Sequence, residues 1–189
     1  MVFFGVNYLL PLLGYFLKGS YLPLILIVFF LKKLTFGGII TFGIPTFFAT
    51  LAIYIINKKN ITNNIKYKIY DFLLRVILPL IAIILFVIHP VGRQAYLYSF
   101  YWFIPVILFF VEKISLKSFI FSNNLSATFI AHSIGSLVWL YTVKMTVIQW
   151  MVLIPVVAIE RFVFAIGMTF GYLILKKVLE LKKSYILKF

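Results

Sequence analysis

The sequence predicts an all-α, polytopic membrane helix bundle, with residues 1–189 forming a single integral membrane domain. Three observations carry that expectation. The chain is 64% apolar with only four acidic residues in 189, and its mean hydropathy is +1.12. A soluble domain is nearer half apolar and a quarter charged. The apolar runs are long and continuous, which suits helices better than the alternating ten-residue strands of a membrane barrel. The lysines cluster between those runs, as the positive-inside rule requires.

That clustering explains the net charge of +14 without nucleic acid as a partner. The C-terminal lysines are also placed to meet lipid headgroups. The chain has no cysteine, so disulfides, thiolate chemistry and Cys-based metal sites are excluded. The first basic residue, Lys18, follows the first apolar run, so the expectation is that this run is retained as a span.

Residues 2–17 are apolar, broken by Pro11 and Gly14. Lys18-Gly19-Ser20 interrupts, and 21–31 is apolar again up to Lys32-Lys33. Neither half reaches the ~20 residues of a straight span, so they form one broken crossing or a short hairpin. Phe36 to Ile56 is a clear span. Gly38, Thr41, Pro45, Ala49 and Ala52 fall on one face of it, a small-residue surface for packing within the chain or against a partner subunit. A polar loop is expected over 57–71, then a span over 72–89 kinked by Pro79. His89 to Gln94 reads as a tight polar turn, followed by an interfacial aromatic belt at Tyr96, Tyr98, Tyr101 and Trp102. Leu97 to Val111 returns across the membrane, and 112–124 is polar. Leu125 to Val143 and Ile148 to Leu175 form a helical hairpin with its turn at 144–147, and a lysine-rich tail ends the chain.

Loops 57–71 and 112–124 and the tail are basic, and they alternate with turns that carry only Arg93 and Lys144. The basic set is expected on the cytoplasmic side. One crossing before Lys32 gives six spans with both termini cytoplasmic; two give seven, with the N-terminus outside. The expected location is the inner membrane of a bacterium.

The hairpin carries the most unusual residues. Counted from its turn, His132 and Glu160 lie at nearly the same depth, roughly 20 Å in at 1.5 Å per residue. Ionisable groups at such depth mark a functional site by default. Thr128, His132, Ser136 and Trp139 share a face with Gly135. Glu160, Phe164, Gly167 and Gly171 share another, with Gly167-x-x-x-Gly171 a close-packing spacing. Asn123 and Asn124 are placed to cap the first helix, and Pro155 to bend the second. Glu160 and Arg161, about 100° apart on the helix, are not expected to face each other. Three roles remain open for this polar cluster: a structural ion pair or hydrogen bond, ligand binding or proton coupling, and catalysis.

His89 and Arg93 make a second candidate at the outer surface, where Arg93 would meet an anionic ligand or a lipid phosphate. The catalytic signatures are missing: there is no G-x-S-x-G elbow, no H-E-x-x-H pair and no P-loop. An enzyme is disfavoured, and no metal or cofactor is expected.

In length, span number, orientation and small-residue helix faces the chain resembles the substrate-capturing S components of energy-coupling-factor vitamin transporters. The resemblance is architectural and covers the whole chain. In that family an Ala-x-x-x-Ala motif of the first helix docks the coupling subunit. Residues 1–31 contain no alanine, and that spacing occurs here only at Ala127 and Ala131. The face from Gly38 to Ala52 would have to replace it. The resemblance implies capture of a small solute from outside, at a pocket near His89, Arg93, Tyr96, Trp139 and Trp150, and a membrane-embedded coupling subunit with ATPases as partner. Two further readings stand beside it: a structural or scaffolding protein of the cell envelope, and a small lipid-modifying enzyme.

Overall fold

A computed structural model describes residues 10–16, 43–115 and 119–186, all as helices and short connections, with no strand among them. The break at 18–20, the run 21–31, Lys32-Lys33, Gly38, Thr41 and Lys117 lie outside the described residues. A 3-10 turn at Leu10–Leu12 leads into α1, Leu13–Phe16. Then follow α2, Ile44–Thr62; α3, Ile65–Ile88; α4, Pro90–Gln94; a 3-10 helix over Tyr96–Trp102 that runs straight into α5, Phe103–Ser115; α6, Ile120–Thr142; and α7, Val147–Ile186.

Among the described residues, three helical stretches are long and apolar enough to cross a membrane: Ile65–Ile88, Tyr96–Ser115 and Val147–Glu180. They carry the exposed apolar surface, with Ile81, Ile84 and Ile88 on α3, Ile107 and Phe110 on α5, and Val152, Ile159, Phe162 and Phe170 on α7. Helix α6 does not meet that standard, and its place explains why. It packs most extensively on α2, and also on α7, α3 and α5. Enclosed by other helices, it buries Asn123, Asn124, Ser126, Thr128, Ser133 and Ser136, which a lipid-facing helix could not accommodate.

The loop expected over 57–71 is mostly helix. Helix α2 runs through the lysines to Thr62. It stops at Asn63, which takes the left-handed conformation at φ 49° and donates its N–H to the Lys59 carbonyl. Asn64 then caps α3 by accepting from the Lys66 N–H at 2.9 Å. Lysine is a good helix former, so only the Asn-Asn pair, tolerant of αL and suited to capping, breaks the helix. The polar stretch at 112–124 is likewise helical at both ends, with Glu112 in α5 and Asn123-Asn124 in α6.

Within α3 the residues Leu73–Ile77 form a π-bulge, with the Leu78 N–H reaching back to the Leu73 carbonyl. Pro79 follows at once. It offers no N–H to the Arg75 carbonyl, and its ring crowds that carbonyl; widening the preceding turn relieves both. The turn expected at 89–94 is the short helix α4, begun by Pro90 and capped by His89 Nδ1, which accepts from the Val91 N–H at 3.3 Å. A Cβ on Gly92 would lie 1.9 Å from the Phe86 carbonyl oxygen, so only glycine lets α4 fold back over the end of α3. Gly14 does the same for α1 against α2: a Cβ there would meet the Thr50 oxygen at 2.5 Å.

The aromatic belt is corrected. Tyr98 and Trp102 are 2% and 0% exposed and form a second core with Phe86, Phe129, Leu140 and Trp150. Tyr98 and Trp102 of the 3-10 helix face inward, and Tyr96 and Phe100 stay outside. The first core joins Leu12, Ala49, Ala52 and Ile53 to Ala127, Ile130 and Met168. Small residues on both α2 and α6 let these helices approach closely, the main packing device where lipid replaces water.

Candidate functional site: a polar cavity between α2, α6 and α7

The described residues line a partly open cavity of about 440 Å³ between Pro45, Thr46 and Ala49 of α2, the polar face of α6 and the inner face of α7. From α6 come Thr128, His132, Gly135, Ser136 and Trp139. From α7 come Trp150, Glu160, Arg161 and Phe164, and Tyr98 reaches in from the 3-10 helix. The size lies within the range of small-molecule sites, and so does the character, an apolar wall with a few convergent polar groups.

The hairpin geometry expected from the sequence is present. α6 and α7 pack on each other around the turn at 143–146, and His132 and Glu160 line the same cavity. No hydrogen bond or ion pair among the described residues joins those two. His132 instead faces Ser136, with Nε2 3.5 Å from Oγ, and the Tyr98 hydroxyl lies 3.2 Å from the same Ser136 oxygen. Tyr98, Ser136 and His132 therefore form one polar chain along the wall, packed behind by Trp102 and Phe129.

Glu160 and Arg161 do face each other, contrary to the expectation from their separation on the helix. Arg161 Nη2 lies 2.9 Å from Glu160 Oε2, and the Arg161 guanidinium stacks over the Phe164 ring at 4.6 Å. The long arginine side chain folds back far enough to reach its neighbour. A lone charge there would be strongly destabilised, and pairing offsets that penalty. The pair presents an anion and a cation side by side at the cavity wall.

Two rings complete the site. Trp139 lines it, and so does Trp150, which packs at 4.7 Å from the Tyr98 ring. The Trp150 indole N–H is buried with no hydrogen-bond partner among the described residues.

The remaining candidates lie elsewhere. His89 caps α4 and packs edge-on to Tyr141 at 5.1 Å. Arg93 is exposed on α4, and Tyr96 is exposed beside Phe100. None of the three lines the cavity. Gly167 is exposed with nothing within 4 Å of a Cβ position, and Gly171 is half-buried, so the Gly167-x-x-x-Gly171 strip packs against no other described helix at Gly167. Pro45, Ala49 and Ala52 of the α2 small face are spent inside the chain. Asn123 and Asn124 do not cap α6, whose N-cap is Phe119. Both are buried, and Asn124 accepts from the Tyr15 hydroxyl at 3.1 Å and donates to Thr169 at 3.0 Å, tying α1 and α7 to α6.

Sequence reasoning missed a second polar cluster. Asp71, Arg75, Glu112 and Lys59 form a four-charge network at the Ile65 end of α3. Arg75 donates to Asp71 from Nε at 2.7 Å and from Nη2 at 3.0 Å, and to Glu112 from Nη2 at 2.6 Å. Lys59 reaches Asp71 at 2.7 Å and Glu112 at 3.5 Å, and Ser122 donates to Glu112 at 3.0 Å. The i,i+4 spacing of Asp71 and Arg75 was a usable signal. It was hidden because Asp71 was assigned to a loop.

Compared with known proteins, the chain matches no family model, no curated protein and no solved structure.

Proposed function

We propose that the chain is a multi-pass membrane subunit that binds a small solute for transport, in the manner of an S component of a vitamin transporter. The observation that carries this reading is the cavity: ionic, hydroxyl, imidazole and indole groups converge on one space inside a helix bundle whose outer face is apolar. Intramembrane polar groups that face a cavity mark solute pathways. Trp139 and Trp150 suit a flat ring. The Glu160–Arg161 pair suits a solute with polar groups of both kinds, and the Trp150 N–H is a buried donor with no acceptor among the described residues. In this reading the bundle has six spans, with the basic loops and both termini on the cytoplasmic face of a bacterial plasma membrane. Having no P-loop, the chain would depend on a membrane-embedded coupling subunit and its ATPases.

The test is purification of the full chain in mild detergent, followed by mass spectrometry of released small molecules and co-purifying proteins. Gly135→Leu serves as the comparison. A Cβ at Gly135 meets only the Pro45 ring, at 3.5 Å and beyond, so the leucine extends into the cavity while raising helix propensity by up to about 1 kcal/mol. Wild type should release one solute at near-stoichiometric yield, and the folded variant should release none. Wild type that is empty and co-purifies with envelope-assembly proteins would overturn the reading in favour of a scaffold.

A further inference from the structure

A groove of about 850 Å³ lies between the α2–α3 corner and the end of α5. We infer that it binds the phosphate-bearing headgroup of an anionic phospholipid. The inference rests on the membrane-spanning reading of α3 and α5 and is independent of any solute in the cavity.

Its position comes first. The groove opens at the first residues of the Ile65–Ile88 stretch and the last residues of the Tyr96–Ser115 stretch. Both apolar stretches end there, at the level where lipid headgroups sit. Its charge comes second. The four-charge network lies in the floor of the groove, where Lys59 and Arg75 are matched by Asp71 and Glu112. Both oxygens of Asp71 and both of Glu112 are engaged, so the acids are turned to internal cations and their charge is cancelled. Lys68 and Lys113 remain on the exposed rim with no ion pair among the described residues. The groove therefore carries two uncompensated positive charges. Arg75 Nη1 also has no hydrogen-bond partner among the described residues.

The walls decide between a lipid and a free phosphate. Ile69 and Phe72 are 51% and 37% exposed and flank the groove together with Phe109, which lies under Lys113 at 4.8 Å. A soluble anion would leave these side chains bare. An acyl chain running from the headgroup along α3 covers them. A basic pocket between spanning helices at the headgroup level, with an apolar flank, is the pattern of an anionic-lipid site.

The test uses the purified full chain in a neutral detergent, titrated with phosphatidylglycerol or phosphatidylcholine and read by native mass spectrometry. Wild type should prefer the anionic lipid by roughly tenfold or more, since each of the two lysines near a headgroup contributes about fivefold. Lys68→Gln/Lys113→Gln should lose most of this preference, Lys68→Arg/Lys113→Arg should keep it, and the charge-matched Lys176→Gln/Lys177→Gln on α7 should leave it intact. Equal binding of both lipids by wild type, or wild-type preference in Lys68→Gln/Lys113→Gln, overturns the proposal. So does displacement of phosphatidylglycerol by millimolar inorganic phosphate, which would assign the groove to the free anion.

Discussion

Removing Arg75 and Glu112 together should disturb the bundle less than removing Arg75 alone. The reason is charge count in a buried site. Arg75 is 1% exposed and Asp71 is 1% exposed. With Arg75→Met, two carboxylates share the single Lys59, which already lies 2.7 Å from Asp71 and 3.5 Å from Glu112. One negative charge is then left without a counterion. Breaking a buried pair in this way costs about 3–5 kcal/mol. Adding Glu112→Gln leaves Lys59 against Asp71, a neutral pair at hydrogen-bond distance, and Ser122 can still donate to the amide oxygen of the new side chain. The double variant should recover roughly 1–3 kcal/mol of the loss, the range for coupled neighbours. The assay is unfolding in mixed detergent micelles of increasing sodium dodecyl sulfate content, followed by far-UV circular dichroism, for wild type, both single variants and the double. Additive losses, with the double variant the least stable of the four, would refute the reasoning.

Other expectations follow from single contacts. Asn124→Ala removes the hydrogen bonds from the Tyr15 hydroxyl and to Thr169 of α7, and should cost about 1–3 kcal/mol in the same assay, two bonds at about 0.5–1.5 kcal/mol each. Gly92→Ala should lower stability markedly, because its Cβ collides with backbone at the end of α3. Gly167→Ala should be neutral or stabilising by up to about 1 kcal/mol. A loss there would reveal close packing against a second chain.

Much of the architecture was legible because apolar run length sets span length. The hairpin of α6 and α7 and the inward polar face of α6 follow from helical periodicity, and the cavity brings together Thr128, His132, Ser136, Trp139, Trp150, Glu160 and Arg161. The failures have a common cause. Polarity was equated with loop, which hid the helical course of 57–62, 65–71, 112–115 and 120–124 and with it the Asp71–Arg75–Glu112–Lys59 network. Within an enclosed bundle a polar residue satisfied by its neighbours is compatible with helix, and Asn123 and Asn124 show the same. The inward turn of Tyr98 and Trp102 was hidden because aromatic residues after a polar turn fit an interfacial belt as well as a core. The Glu160–Arg161 contact depends on side-chain length, which a helical wheel leaves out.

The central claim is that α2, α6 and α7 line an accessible cavity, apolar with a few polar groups, that a small solute occupies. Because the chain has no cysteine, single substitutions on α6 test it directly. Ser136 lines the cavity, while Ser133, one turn earlier and about 60° round the same helix, does not line it and is 0% exposed. Labelling of the membrane-embedded protein with a small charged methanethiosulfonate reagent should modify Ser136→Cys and spare Ser133→Cys. If Ser136→Cys is as inert as Ser133→Cys in folded protein, the bundle is solidly filled at this point and the account of the cavity is wrong.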